Sequence, residues 1–314
     1  MKNIDAEKYY KLLKKETGAD DTAWLEAVKR ELHDARNQPP RSDSVRCEIE
    51  HVYGSVDGRE LDGDLFTPVH QPEKPRPAII FAHGGCWKFG SPSQFHYHAH
   101  QLAERFGFFA ISVDYRMSQE APFPAALQDL KCAARWIRTH ADEWNIDPER
   151  IVACGGSAGA NLASLMLTTA GVADYEGDGG YSEQSSHVNL GVLYNGEFDM
   201  WDLLEKGSLI EAMYLFTGGT PFECPERYDE LSTVQRIAET TPPALLLHGT
   251  ADNCVSHQQS VDFHARMKEK GCASELELYE GMPHAWFNRP EDKKESYDRM
   301  ERFLVEQFGL ATEG

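Results

Sequence analysis

"IVACGGSAGANLASL", residues 151–165, opens as a short apolar run and closes as an alanine- and leucine-rich stretch, with three glycines and one serine in between. The apolar residues after the glycines fall at helical spacing, so the stretch reads as a buried strand turning directly into a helix. Two phosphate-binding loops share that strand-to-helix geometry. One needs a Lys-Ser or Lys-Thr pair after its last glycine, the other G-x-G-x-x-G with an acidic residue on the next strand. Neither occurs here. What matches is G-x-S-x-G, at Gly155-Gly156-Ser157-Ala158-Gly159, a turn that holds a serine in a strained conformation and pushes its Oγ out beyond the carboxyl end of a sheet. Small residues also collect at ordinary tight turns, so the weight of the motif depends on what other strand ends supply.

The chain has 314 residues, 41% of them hydrophobic, with 31 basic and 51 acidic side chains and a net charge of −20. One large α/β domain is the natural expectation for that length. An anionic surface repels nucleic acid and anionic membrane, which argues against both as partners. Seven cysteines are scattered with no C-x-x-C spacing, as expected of buried thiols in a reducing compartment. The opening "MKNIDAEKYYKLLKKE" is too charged for a signal peptide. A cytoplasmic protein is therefore expected, unless a leader has been removed.

Residues 1 to about 36 read as helical, with Trp24, Val28 and Leu32 on one face after Asp20-Asp21-Thr22. "NQPPR" ends that section. Strands are predicted at 47–52, 61–66, 78–82, 108–113, 151–154, 188–194, 244–247 and 275–279. Helices are predicted at 125–141, 161–169, 257–270 and 293–308. This alternation describes a mostly parallel eight-stranded sheet with helices on both faces. The predicted organisation is an N-terminal helical segment, 1–40, packing on or capping a catalytic domain, 41–314. Within it, residues 196–240 form a lid-like excursion carrying Trp201, Met213, Tyr214, Phe216 and Phe222, which either packs back on the body or covers a pocket.

A serine hydroxyl needs a base to take its proton and an acid to orient that base. "HGTADNCVS" puts Asp252 just beyond the seventh predicted strand, and "EGMPHAWF" puts His284 just beyond the eighth. Loops at the carboxyl ends of a parallel sheet line a common crevice, so Ser157, Asp252 and His284 are expected to converge. After the third strand, "HGGCW" offers the backbone amides of Gly84 and Gly85, which with that of Ala158 make a candidate oxyanion hole. Trp87 and Trp286 flank these residues and are candidates for lining a substrate pocket.

Together "HGGCWKFGS", "SVDYRMSQEAPFPAALQDLKCAARWIR", "NIDPERIVACGGSAGANLASL", "YEGDGGYSEQSSHVNLGVLYNG", "LLLHGTADNCVS" and "EGMPHAWF" resemble the α/β-hydrolase-fold esterases. The likeness is to the hormone-sensitive-lipase-like group, and within it to the bacterial branch that includes dual feruloyl/acetyl-xylan esterases. It covers about residues 45–310. It implies a serine carboxylesterase for short acyl esters, plausibly acetyl or feruloyl groups on plant-polysaccharide fragments, working without metal or cofactor. The same residues would also serve an amidase, formamidase or peptidase, or survive in a binding protein of this fold. Cys86 stands where the family usually has a third glycine, and Ser256 replaces a common proline.

Other features invite readings of their own. His96, His98 and His100 alternate in "FHYHAH", but a helix over 93–106 would scatter them around its axis, against a metal site. Asp199 in "NGEFDM" is a rival acid, at a position some hydrolases use. Asp114 and Arg116 in "VDYR" are expected to fix loops. Oligomeric state is not legible.

Overall fold

The computed structural model describes residues 4–17, 30, 33–70 and 72–311. The helix expected through Trp24, Val28 and Leu32 lies outside these, apart from fragments. Eight strands form one sheet in the order β1-β2-β4-β3-β5-β6-β7-β8. They are β1 (Val45–Val56), β2 (Arg59–Pro68), β3 (Arg76–Ala82), β4 (Phe109–Asp114), β5 (Ile146–Gly156), β6 (Leu190–Tyr194), β7 (Ala244–Gly249) and β8 (Ser274–Tyr279). β2 runs antiparallel to β1 and β4, and every pairing from β4 to β8 is parallel. This is the α/β-hydrolase fold.

The first two strands are longer than predicted. Asp57 and Gly58 both take positive φ, 52° and 84°, in a two-residue turn between them, the geometry that suits the twist of a hairpin. In the central strands apolar runs are unbroken because both faces are covered. Ile80, Ile111, Ala153 and Leu246 face one core, while Ile79, Ala110, Val152 and Leu245 face the other. Among the longer helices are α1 (Ala6–Thr17), α2 (His96–Phe106), α3 (Ala125–Thr139), α4 (Ala158–Thr168), α5 (Met200–Lys206), α6 (Ile210–Thr217), α7 (Pro225–Leu231), α8 (Gln258–Glu269) and α9 (Lys293–Phe308). Among the described residues no helix is long and apolar enough to cross a membrane.

The excursion folds back as α5, α6 and α7. Its Phe216 ring stacks on Trp87, with centroids 4.6 Å apart and planes within 7°. From the other side α1 packs on α6 and the loop after it: the Glu16 carboxylate accepts the Glu211 amide of α6, and the Tyr9 ring meets Phe222 of that loop edge-on at 5.5 Å. Glu211 also pairs with Lys88, in the loop after β3.

Arg36 ties the segment before β1 to the sheet. Its guanidinium donates to Asp62 at 2.5 Å, to both Asp64 oxygens and to Asp114 at 3.0 Å. His96 adds a contact to Asp64 at 2.8 Å. Burial pushes the Asp114 carboxyl up to about 6, partly offset by Arg36. Replacing Arg36 with alanine leaves three neighbouring carboxylates without their cation. The expected loss in urea unfolding is about 3–5 kcal/mol at neutral pH, shrinking in acid as the carboxylates take up protons. Arg116 likewise fixes a loop, donating to both oxygens of buried Asp129. His96, His98 and His100 sit on α2 in separate surroundings. His98 lies among Phe95, Tyr97, Tyr194 and Tyr297, while His100 lies 3.7 Å from Glu104.

Candidate active site

Ser157 occupies the turn between β5 and α4 with φ 54° and ψ −126°, a region that costs a residue with a side chain roughly 1–3 kcal/mol. The flanking glycines make that turn sterically open. A Cβ at Gly155 would lie 2.1 Å from the Gly159 carbonyl oxygen, and one at Gly159 would lie 2.0 Å from that of Ala82. The strain is held by the backbone: the Ser157 amide donates to the Tyr194 carbonyl at 2.9 Å, and the Ala160 amide returns to the Ser157 carbonyl at 2.7 Å.

The three side chains expected to converge do meet. Ser157 Oγ lies 3.0 Å from His284 Nε2, and His284 Nδ1 lies 2.6 Å from Asp252 Oδ2. The loops after β7 and β8 are laced together, with the Ala251 amide on the Met282 carbonyl and the Thr250 amide on that of Tyr279. A Cβ at Gly249 would lie 2.2 Å from the Met282 oxygen, so glycine permits the approach.

Asp252 holds more than one imidazole. Its Oδ1 accepts the amides of Cys254 and Val255 at 2.9 and 2.8 Å. Its Oδ2 is shared by His284 and by buried His248, whose Nε2 is 3.1 Å away. That Nε2 also faces the Val255 carbonyl at 3.0 Å. With acceptors on that side, Nε2 carries the hydrogen and Nδ1 accepts from Ser260 Oγ at 2.7 Å. Burial alone would raise the Asp252 carboxyl, but the hydrogen bonds from both imidazoles and the amides win and hold it well below the usual carboxylate range. A stably ionised carboxylate on Nδ1 fixes the His284 tautomer that leaves Nε2 free to take a proton.

A further carboxyl, unmarked by the sequence reading, lies on the other side of the serine. Glu197 Oε1 is 3.0 Å from Ser157 Oγ, and the residue is wholly buried. Burial pushes its carboxyl up to about 7, against the lowering effects of His284 and the hydrogen bond to Ser157. Its backbone carbonyl accepts from Asn161 Nδ2 at 2.8 Å. A Cβ at Gly196 would lie 2.5 Å from the Phe198 ring and 2.7 Å from the Ala160 Cβ, so glycine is what lets the loop pack against both. Asp199, the rival acid in the same loop, instead caps α5, accepting the Trp201 and Asp202 amides at 2.9 and 3.1 Å.

The glycine loop after β3 differs in part from expectation. The Gly84 amide already donates to Gln94 Oε1 at 2.6 Å, so it is engaged there rather than free. Gly85 has φ +119° and a Cβ on it would lie 1.9 Å from the Phe89 carbonyl oxygen. Ala158 is the first residue of α4, where amides lack an intrahelical acceptor. Cys86 and Trp87 both adopt left-handed φ, 54° and 56°, and Ser118 donates its amide and hydroxyl to the Trp87 carbonyl at 2.8 and 2.9 Å.

A cavity of about 280 Å³ opens over Ser157 and His284, with Gly85, Cys86 and Phe89 on one wall and Ala285 and Phe287 on the other. The two tryptophans expected to line it do not. Trp87 is fully buried against Phe216, and Trp286 is buried against Tyr279, Tyr194 and Phe287. Phe89 and Phe287, close by in sequence, line the cavity instead.

The family model described as BD-FAE matches residues 64–267. Among curated proteins, the chain is 28% identical over 220 residues to "Esterase LipC" of Mycobacterium tuberculosis, covering 69% of this chain and 54% of that one. It is 26% identical over 250 residues to the isoprenylcysteine alpha-carbonyl methylesterase ICME of Arabidopsis thaliana, covering 77% of this chain and 57% of the relative. The chain thus spans about half the length of the curated relatives it matches. Among solved structures, the propionate-bound thermophilic esterase Est2 of Thermogutta terrifontis superposes with a TM-score of 0.73 at 31% identity, covering 88% of this chain and 98% of that one. The same enzyme phosphorylated by paraoxon gives 0.72 at 31% identity, covering 87% and 98%. With the family's region running from β2 into α8 and holding Ser157 and Asp252 at its strand ends, the chain belongs to the BD-FAE family.

Proposed function

We propose that the protein is a serine carboxylesterase acting on short acyl esters, with acetyl and feruloyl esters of plant-polysaccharide fragments as the substrates to try first. The observation that carries this reading is the hydrogen-bonded row Ser157–His284–Asp252 at the floor of an open cavity. It is supported by the esterase names of the relatives and by the Thermogutta enzyme, whose titles record propionate bound and phosphorylation by paraoxon. In the proposed reaction Ser157 Oγ attacks the ester carbonyl carbon and its proton passes to His284 Nε2. That proton then goes to the departing alkoxide as the carbon–oxygen bond breaks. Water repeats the sequence on the acyl-enzyme, and Asp252 stabilises the imidazolium in both halves. The tetrahedral oxygen would take its hydrogen bonds from the amides of Gly85 and Ala158, since that of Gly84 is engaged by Gln94.

The test is reaction with diisopropyl fluorophosphate followed by peptide mapping. The expected result is one adduct, on Ser157, with loss of nitrophenyl-acetate hydrolysis in step. No adduct, or one elsewhere without loss of turnover, ends the reading. Comparing acetylated and feruloylated oligosaccharides with simple esters and a formamide then ranks the substrates. Faster formamide cleavage would move the assignment to an amidase.

A further inference from the structure

Ser157 Oγ stands between His284 Nε2 and Glu197 Oε1, each at 3.0 Å. A hydroxyl has one hydrogen and can donate to only one of them. His284 Nδ1 is committed as a donor to Asp252 Oδ2, so Nε2 of the neutral ring has no hydrogen and accepts one; Ser157 Oγ is the near donor, while Asn195 Nδ2 stands 3.4 Å from both ring nitrogens. The Glu197 contact then closes only if the hydrogen in it belongs to Glu197.

The surroundings of that carboxyl favour the same assignment. Glu197 is wholly buried, and among the described residues its Oε2 has no hydrogen-bond partner. A buried carboxylate with an unpaired oxygen is costly, whereas a carboxylic acid is much less so. The titratable groups facing it are His284 and Asp252 from the loops after β8 and β7, Cys254 beside Asp252, Cys86 from the loop after β3 and Tyr115 after β4. Burial pushes both thiols up to about 12 and the phenol well above its ordinary value, so all three stay neutral. Asp252 is anionic and opposes a second negative charge nearby.

We propose that Glu197 is a further catalytic residue: as a carboxylic acid it donates to Ser157 Oγ and so directs that hydroxyl's single hydrogen onto His284. Its proton is not transferred. In acylation the bond Oγ–C forms, the Oγ–H proton moves to His284 Nε2, and the Glu197 hydrogen stays on Glu197. In deacylation Oγ is the leaving atom, and the same O–H supports the charge that gathers on it as the acyl bond breaks. Once Glu197 ionises, the contact reverses. Ser157 donates to the carboxylate, His284 loses the proton it should abstract, and a negative charge sits beside the place where an oxyanion must form. The active form has Glu197 protonated and His284 as a neutral base, so this requirement is met below the Glu197 midpoint and lost as pH rises through it.

This inference rests on the esterase reading, and the experiment separates the two. kcat/KM for nitrophenyl acetate is measured from about pH 5 to 9 in the wild type and in Glu197→Gln, whose amide donates but cannot titrate. The wild type is expected to fall about tenfold per pH unit above a midpoint near 7. In E197Q the maximum is lower, because an amide is a weaker donor, and the alkaline fall is gone. A merely structural Glu197 would lower the whole profile and leave its shape unchanged. An alkaline fall that persists in E197Q, or its absence from the wild type, overturns the proposal. If E197Q does not fold, infrared titration of the wild type decides. A carboxylic-acid carbonyl band that disappears near pH 7, and is displaced in Ser157→Ala, supports the assignment, and no such band removes it. Failure of fluorophosphate to label Ser157 would instead sink the esterase reading itself.

Discussion

Ser157→Ala lowers kcat for ester hydrolysis by about 10⁴- to 10⁶-fold while the protein still folds. The size follows from what the hydroxyl does in the proposed reaction: without it no acyl-enzyme forms, and only binding and polarisation of the carbonyl remain. Such remnants are worth about 10³- to 10⁴-fold over water in enzymes of this mechanism. The fold survives because the turn is held by backbone contacts to Tyr194 and Ala160 and by glycines that leave room for it. Alanine at φ 54° meets the same strain as serine. Nitrophenyl-acetate turnover checks the rate, and circular dichroism checks the fold. An S157A protein with more than a few per cent of wild-type turnover would mean that another group is the nucleophile.

The second large effect is expected at Asp252. Asp252→Asn keeps the shape of the side chain but replaces one carboxylate oxygen with a donor. Oδ2 now serves two imidazoles, at 2.6 and 3.1 Å, and Oδ1 serves two amides at 2.9 and 2.8 Å. An amide can satisfy only one of those pairs. If its oxygen stays on the backbone amides, its N–H faces His284 and turns that ring to the tautomer with hydrogen on Nε2, which cannot accept from Ser157. The comparable substitution in a serine protease costs about 10⁴-fold in kcat, and the same order is expected here, with little change in KM. Measured kcat of D252N within tenfold of wild type would show that the carboxylate has no part in catalysis.

The sheet and the three convergent residues were legible because their signals are local. Apolar runs mark β5 and β7, a leucine-glutamate alternation marks β8, and Ser157, Asp252 and His284 lie within a few residues of their ends. Parallel pairing then brings those strand ends together without any need to know the packing. The rest depended on where side chains turn within a loop, which no spacing encodes. In "NGEFDM" the acid at 199 drew attention as the rival, yet it caps α5, and the acid two residues earlier reaches Ser157. The available signal is Gly196, a residue that lets the loop lie close against Phe198 and α4 just before Glu197. His248, one residue past the predicted strand 244–247, lies within β7 and carries no sequence signal of its own, though it binds the Asp252 carboxylate. Trp87 and Trp286 are candidates for pocket walls only because they adjoin the site in sequence. Their rings are instead drawn into the cores by Phe216 and Tyr279.

The Trp87–Phe216 stack bears on any attempt to re-engineer this scaffold. Two successive non-glycine residues, Cys86 and Trp87, hold left-handed conformations, and an indole clamped from the excursion is part of what keeps them there. Exchanging residues 196–240 for the corresponding piece of a relative, in order to broaden substrate range, would therefore not leave the rest of the site unchanged. It would withdraw a brace from the wall that carries the Gly85 amide, and a chimera would need its own aromatic partner for Trp87 before its selectivity could be interpreted.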